Sequence, residues 1–429
     1  MRLKPTAVVE TAFIIIGVLL LAFGQEQQLG GDGLARWEAV RLLFEHGRVS
    51  DTIYSLIGPV FSLPLWLAGT LVGAVDPVLR YYNVTLFALS LGALYLLMRR
   101  WVGGDLLRRY LVLLVAGSMI APHVRNFYGE VFTMVAVGVG LVAVVAGFKR
   151  SGWAAVILGA ANTPASLVGL GLVSTGEALR FKRLRHLLPV VIGAAVVVAE
   201  IGLRRGFDAE YTNNVKIAKT VMPYSGLDGF SYPFFFGLLA ILLSFGKGLV
   251  FYLPGLLLPV WRSLTEQLKQ LYLLWILFLA GLVLAYASWW GWYGGDYWGP
   301  RFFVFGILPA SLALAVALTY PRGLLFNFAT LAVLGLAIWI GADSLVLGGY
   351  FPPECFIGYY QYAFVCHFTP EFSQLWYPMV RPPDLKTWQV LEFAYYAAVL
   401  VWLAVPLLAR IMEQLASWFQ RVDLKQWRF

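Results

Sequence analysis

Four short stretches of this 429-residue sequence set charged side chains among glycines, beside long apolar runs. The first is Gly30-Gly31-Asp32-Gly33-Leu34-Ala35-Arg36-Trp37-Glu38. Glycine lets the backbone turn tightly and approach a ligand closely, so the carboxylate of Asp32 could stand close to one. The same pattern reads equally well as a helix N-cap, with a nearby Glu in the first turn. The second is Pro122-His123-Val124-Arg125-Asn126-Phe127-Tyr128-Gly129-Glu130. Glu130 stands at the mouth of an apolar run, where a carboxylate is costly and often functional, though a helix N-terminus also favours an acid. The third is Ser244-Phe245-Gly246-Lys247-Gly248-Leu249, whose Lys247 offers a cation or merely snorkels to an interface. The fourth runs from Ser288-Trp289-Trp290-Gly291 through Tyr297-Trp298-Gly299-Pro300 to Arg301. An interfacial aromatic belt explains some of its Trp and Tyr but not the interleaved glycines or the arginine. Aromatic faces suit sugar rings, and the arginine fork suits a phosphate.

The elements that must position these residues are membrane helices. Hydrophobic residues make up 60% of the chain and charged ones 13%, whereas soluble domains carry roughly 25% charged residues. Apolar runs near the ~20 residues needed to cross a bilayer recur from end to end. They predict an all-α polytopic membrane protein of about 12 transmembrane helices, two of them short. The expected spans are Thr6–Phe23, Tyr81–Met98, Tyr110–Pro122, Val131–Phe148, a re-entrant pair within Trp153–Leu179 turning at Asn162-Thr163-Pro164, Leu187–Leu203, Gly248–Trp261, Leu271–Trp289, Phe302–Thr319, Leu324–Ile340 and Trp388–Leu408. Proline at the turn removes a backbone donor and disfavours helix just before it. The first run is read as a retained span, because Gly24-Gln25-Glu26-Gln27 follows it instead of a small-residue cleavage pattern.

Basic residues cluster at Arg99-Arg100, Arg108-Arg109, Lys149-Arg150 and Arg180 to Arg185. The positive-inside rule makes these segments cytoplasmic and puts both termini inside. Residues 24–80, 204–247 and 341–387 then become outer segments of one integral membrane domain, carrying juxtamembrane helices. The net charge of +9 is read as this topology signal and not as a nucleic-acid surface. Cys355 and Cys366 share the last outer segment, where a disulfide suits an oxidising compartment. With His367 beside them they are a weak metal signal.

These stretches resemble the GT-C glycosyltransferases that use polyprenyl-phosphate sugars, in particular the bacterial branch related to protein O-mannosyltransferases and lipid A aminoarabinose transferases. The residues that carry the likeness are Gly31-Asp32-Gly33 with Arg36, then Asn126 to Glu130, then Phe245 to Pro254, and finally Trp289-Trp290-Gly291 with Gly299-Pro300-Arg301-Phe302. Their order and spacing agree over roughly the whole chain. The resemblance implies a GT-C-like bundle in the plasma membrane of a prokaryote, with an active site on the outer face. It implies a polyprenyl-phosphate sugar as donor and a hydroxyl acceptor on a glycan, lipid or protein. Asp32 would be the catalytic base, with Glu130 or Glu38 as a second carboxylate. Lys247 and Arg301 would stabilise the leaving phosphate, and Arg36, Arg125, Tyr128, Trp289, Trp290 and Tyr297 would bind substrate. A divalent metal, Mg or Mn, could share the work. Relatives often have Asp-Glu where this chain has Asp32-Gly33, and the large soluble domain that some add after the last span is absent. A lipid-linked-sugar flippase, a surface-glycan ligase and a membrane scaffold are the alternatives. Few ionisable residues lie mid-span and no internal repeat is evident, which weighs against a transporter.

Overall fold

The structure, a computed structural model, describes residues 5–205, 229–295, 297–357 and 361–426. It is built of helices, and the described residues hold no strand beyond one bridge between Gln28 and Asn126. The longer helices are α1 (Pro5–Phe23), α2 (Asp32–His46), α3 (Tyr82–Met98), α4 (Gly104–Ala116), α5 (Gly129–Val145), α6 (Lys149–Ala161), α7 (Ser166–Phe181), α8 (Leu188–Arg205), α9 (Phe234–Leu243), α10 (Glu266–Ala287), α11 (Ile307–Thr319), α12 (Leu324–Val346) and α13 (Thr387–Gln426).

Among the described residues, seven helical stretches are long and apolar enough to cross a membrane: Pro5–Phe23, Val75–Met98, Leu184–Arg205, Glu266–Ala287, Arg301–Thr319, Leu324–Val346 and Thr387–Trp418. This is a membrane-embedded helical chain, with seven helices of crossing length set against an expectation of about 12 spans, two of them short. The shortfall has local causes. The expected span Gly248–Trp261 is not one helix; it breaks into single turns at Leu249–Tyr252, Pro254–Leu257 and Trp261–Ser263, because Pro254 and Pro259 cannot donate to a helical ladder. The expected span Tyr110–Pro122 ends at Ala116 and resumes as the short turn Ile120–Val124. Helix α5 is apolar but only 17 residues long.

Two short helices flank the expected turn: α6 stops at Ala161 and α7 starts at Ser166, on either side of Asn162–Pro164. At 13 and 16 residues and 1.5 Å rise per residue, each falls short of a ~30 Å hydrocarbon core. Small residues let these short helices pack closely. A methyl on Gly140 of α5 would meet the Gly152 carbonyl of α6 at 2.8 Å, and one on Gly281 of α10 would meet the Gly169 backbone of α7 at 2.3 Å.

Chain direction sorts the charges. Helices α3, α5 and α11 each begin near Asn83, Glu130 and Arg301 and run towards Arg99-Arg100, Lys149-Arg150 and Arg322 respectively. Helix α1 runs the other way and delivers the chain to Asp32. The two ends of the bundle therefore differ: one carries the four glycine-flanked stretches and the other most of the basic clusters.

Candidate active site

Asp32, Glu130 and Arg301 meet at the first of these ends, although 269 residues separate Asp32 from Arg301. Arg301 Nη2 donates to Asp32 Oδ2 at 2.6 Å. Its Nε lies 3.7 Å from Glu130 Oε1, too far for a hydrogen bond but close for an ion pair. The guanidinium also lies over the Tyr128 ring, 5.2 Å from its centroid, and at the same distance from the Phe302 ring. One cation thus serves two carboxylates between aromatic walls.

Local structure explains the meeting. Asp32 is the first residue of α2, and its N-cap, Gly31, has φ of +53°, a conformation only glycine adopts cheaply. The loop before α2 is tied to the loop before α5 by Gln28 N–H donating to the Arg125 carbonyl at 2.8 Å. Asn83, at the start of α3, donates its amide to the Asn126 and Tyr128 carbonyls. This fixes the extended Tyr128 that caps α5 and sets Glu130 in the first turn. On the other side, Gly294 and Gly295 both turn with positive φ. A methyl on Gly294 would press on Arg301 Cγ at 2.9 Å.

A second ring of residues holds the first. Tyr54 donates its hydroxyl to Asp32 Oδ1 at 2.6 Å. Arg36, one helical turn beyond Asp32 and buried, lies over the Tyr54 ring and donates to the Ser55 carbonyl. The segment bearing Tyr54 is clamped by α8: Glu200 accepts from Leu56 N–H at 2.9 Å, and Arg204 bonds both Glu200 and the Thr52 carbonyl. Asp343 of α12 accepts from Trp298 Nε1 at 3.1 Å, and Gln374 accepts from Gly299 N–H, which anchors the turn leading into Arg301.

Burial opposes ionisation of Asp32, but the Arg301 charge and the Tyr54 hydrogen bond outweigh it and hold the carboxyl below its ordinary value. Burial, reinforced by the Asp32 charge, drives the Tyr54 phenol well above its ordinary value, so it remains a donor. Burial also pushes Tyr128 up to about 12. His123 goes the other way: burial takes it down to about 3, and its Nδ1 is committed to the Met119 carbonyl. A carboxylate, not the imidazole, is the base this end can offer.

The remaining predicted residues divide. Tyr297 joins the site: its hydroxyl donates to the Pro122 carbonyl and its ring meets Tyr128 edge-on at 5.1 Å. Arg125 lies at the rim, donating to the Glu26 carbonyl at 3.0 Å. Lys247 does not reach out to a ligand. It is buried, and its ammonium donates to the carbonyls of Gly295, Tyr297 and Gly299, so it braces the turn before Arg301. An ammonium is a three-proton donor, and these three backbone carbonyls converge on it. Trp289 and Trp290 make their ring contacts with Phe230 and Tyr293 rather than with Tyr128 or Arg301. Glu38, six residues beyond Asp32 in α2, makes no ion pair among the described residues.

Cys355 and Cys366 form a disulfide. The segment that follows it docks on the Lys247 turn, where Gly246 N–H donates to the His367 carbonyl and Ser373 Oγ to the Phe245 carbonyl, each at 2.9 Å. A cavity of about 710 Å³ opens on the other side of this turn, walled by Phe236, Leu239, Leu243, Phe245 and Phe368. None of the charged residues above lines it. A divalent ion bridging Asp32 and Glu130 does not fit this arrangement, because the Arg301 guanidinium pairs with both.

Tyr54, Asn83, Glu200, Arg204 and Asp343 escape sequence reasoning. Asn83, Glu200 and Asp343 leave a signal, since each is a polar side chain inside an apolar run. Tyr54 leaves none. Comparison of the chain with protein-family models, with curated proteins and with solved structures gives no match.

Proposed function

We propose that the chain is an inverting glycosyltransferase that moves a sugar from a polyprenyl-phosphate donor to a hydroxyl acceptor at the outer face of a prokaryotic plasma membrane. The observation that carries this reading is the buried Arg301 guanidinium, held between Asp32 and Glu130 under the Tyr128 ring. It pairs a cation suited to phosphate with a carboxylate suited to proton abstraction, at the end of the bundle opposite the basic clusters. The disulfide supports an oxidising surroundings for that end, and the apolar cavity beyond the Lys247 turn has the chemistry an isoprenoid chain requires.

In this reading the acceptor oxygen bonds to the anomeric carbon as the bond from that carbon to the phosphate oxygen breaks. The hydroxyl proton passes to Asp32, and the electron pair leaves with the phosphate. Charge grows on the phosphate oxygen in the transition state, where a preorganised arginine acts most strongly. The sugar passes through an oxocarbenium-like state, as in glycoside hydrolysis. Tyr128 and Tyr297 offer it aromatic walls. Lys247 and Asp343 contribute by holding the turn that aims Arg301.

The test uses purified protein in lipid nanodiscs with polyprenyl-phosphate sugars labelled in the sugar. A transferase releases polyprenyl phosphate and labels the acceptor; a flippase or scaffold leaves the donor intact. Asp32→Asn should abolish release while the folded chain still binds donor. Near-normal turnover in that variant removes Asp32 from the chemistry.

A further inference from the structure

Both oxygens of Asp32 are already engaged. Oδ1 accepts from Tyr54 and Oδ2 from Arg301, each at 2.6 Å. A general base needs a lone pair free to face the incoming hydroxyl; in this state Asp32 has given its best direction to the guanidinium. Arg301 spends its Nη2 on Asp32, while its buried Nε has no hydrogen-bond partner and lies 3.7 Å from Glu130; the limit on adding a phosphate is charge. With Asp32 and Glu130 both beside it, a phosphate added to the same guanidinium would gather three anionic groups round one cation in a partly buried site. Like charges at such range repel strongly where solvent is excluded. Glu130 Oε2 and Arg301 Nε are both buried without a hydrogen-bond partner, so the cluster is incompletely paired in this state.

We propose that Asp32 and the donor's phosphate compete for Arg301, so that Asp32 occupies the anion site in the resting protein and is released as a base only when an oxyanion displaces it. This rests on the reading of Arg301 as the phosphate ligand. The carboxylate that occupies the guanidinium is the protein's own stand-in for the phosphate oxygen. Exchange asks little of the backbone: Asp32 lies between Gly31 and Gly33, and Gly30 has no neighbouring atom within 4 Å of where a side chain would start. Donor therefore binds first and creates the base. An acceptor hydroxyl that arrives without donor finds Asp32 occupied. Competition is reciprocal, since whatever weakens the Asp32–Arg301 pair must strengthen phosphate binding by the same factor. The depressed basicity of Asp32 in the resting state agrees with this.

The experiment measures the affinity of the full-length chain in nanodiscs for sugar-free polyprenyl monophosphate, with inorganic phosphate as a second probe. Asp32→Asn removes the competing anion and keeps the shape. It should tighten polyprenyl monophosphate binding by roughly 5- to 150-fold, the usual range for ligands coupled through one site. Asp32→Ala serves where the amide variant fails to fold, with the same expectation. Arg301→Ala should lose most of the binding. Inorganic phosphate should follow the same order of variants at much weaker affinity; equal affinity for the two probes would make the ligand a free anion and overturn the lipid assignment. Unchanged or weaker binding in both Asp32 variants, with binding still lost in Arg301→Ala, overturns the competition and leaves the site reading standing. Unchanged binding in Arg301→Ala overturns the site reading itself.

Discussion

The two ends of the bundle each bury an acid–arginine cluster, and the two clusters are near mirror images. At one end Arg301 serves Asp32 and Glu130. At the other, Glu10 of α1 serves Arg108 and Arg109 of α4: Arg108 Nε donates to Glu10 Oε2 at 2.7 Å, and Arg109 Nε lies 3.7 Å from Oε1. The difference lies in what carries the charges. Glu10, Arg108 and Arg109 all sit within regular helix, and Arg109 goes on to cap the end of α11 through the Leu318 carbonyl and Thr319 Oγ1. This cluster ties three helices together. Asp32, Glu130 and Arg301 instead sit at helix starts and glycine turns, among aromatic rings, with Glu130 Oε2 left unpartnered. A charge cluster spent on joining helices is a brace; one held by turns, with a guanidinium donor and a carboxylate oxygen both left unpaired, is expected to take a ligand.

Substitutions at the two ends should separate these roles. The largest effect on chemistry is expected from Arg301→Ala, with transfer falling roughly 100- to 1,000-fold, the scale of losing one preorganised donor at a developing oxyanion. Release of polyprenyl phosphate from labelled donor is the readout, and a rate within a few fold of wild type would break the comparison at its functional end. Next comes Glu10→Gln, which takes the shared anion from two arginines, of which Arg108 keeps Asp105. Its expected cost is about 3–5 kcal/mol of stability, seen as a lower unfolding temperature in detergent, with turnover per folded molecule unchanged. If Glu10→Gln instead cut turnover without touching stability, the Glu10 cluster would be more than a brace. The smallest effect is expected from Tyr54→Phe. Tyr54 lowers the Asp32 pKa by its hydrogen bond, so its loss raises that pKa and moves the acid limb of the pH–rate profile upward, by about one unit for each ~1.4 kcal/mol of lost interaction. The sign for stability follows from the same depression. Asp32's contribution is fully present above its unfolded pKa of about 3.9 and is lost as pH falls through the lower folded value. An acid limb that stays put in Tyr54→Phe would show that Asp32 is not the group it reports.

Much of this could be read from the sequence, and what could not has physical reasons. Asp32, Glu130, Tyr128 and Arg301 stand out because charges flanked by glycine at the mouths of apolar runs are expensive wherever they go, and the structure gathers those four. The Asn162–Pro164 break was legible because proline cannot sit mid-helix without consequence. Span number was less legible. Hydropathy alone cannot tell a crossing helix from the broken turns of residues 249–263, whose apolar side chains read the same either way. Lys247 shows the limit for single residues: a lysine between glycines beside an apolar run looks like a ligand for phosphate, and only the fold reveals three backbone carbonyls converging on it. Trp289 and Trp290 mislead for the opposite reason, since aromatic rings pack against one another as readily as against sugars. Tyr54 could not be foreseen, because its partner lies across a turn that the sequence does not describe.

The most direct measurement is a cryo-EM map of the full-length chain in nanodiscs with polyprenyl phosphate. The account predicts phosphate density within charge-assisted hydrogen-bond distance, ~2.7–2.9 Å, of the Arg301 guanidinium, with Asp32 turned away from it. Phosphate density lodged instead beside Arg108 and Arg109, with the Asp32–Arg301 pair intact, would contradict it.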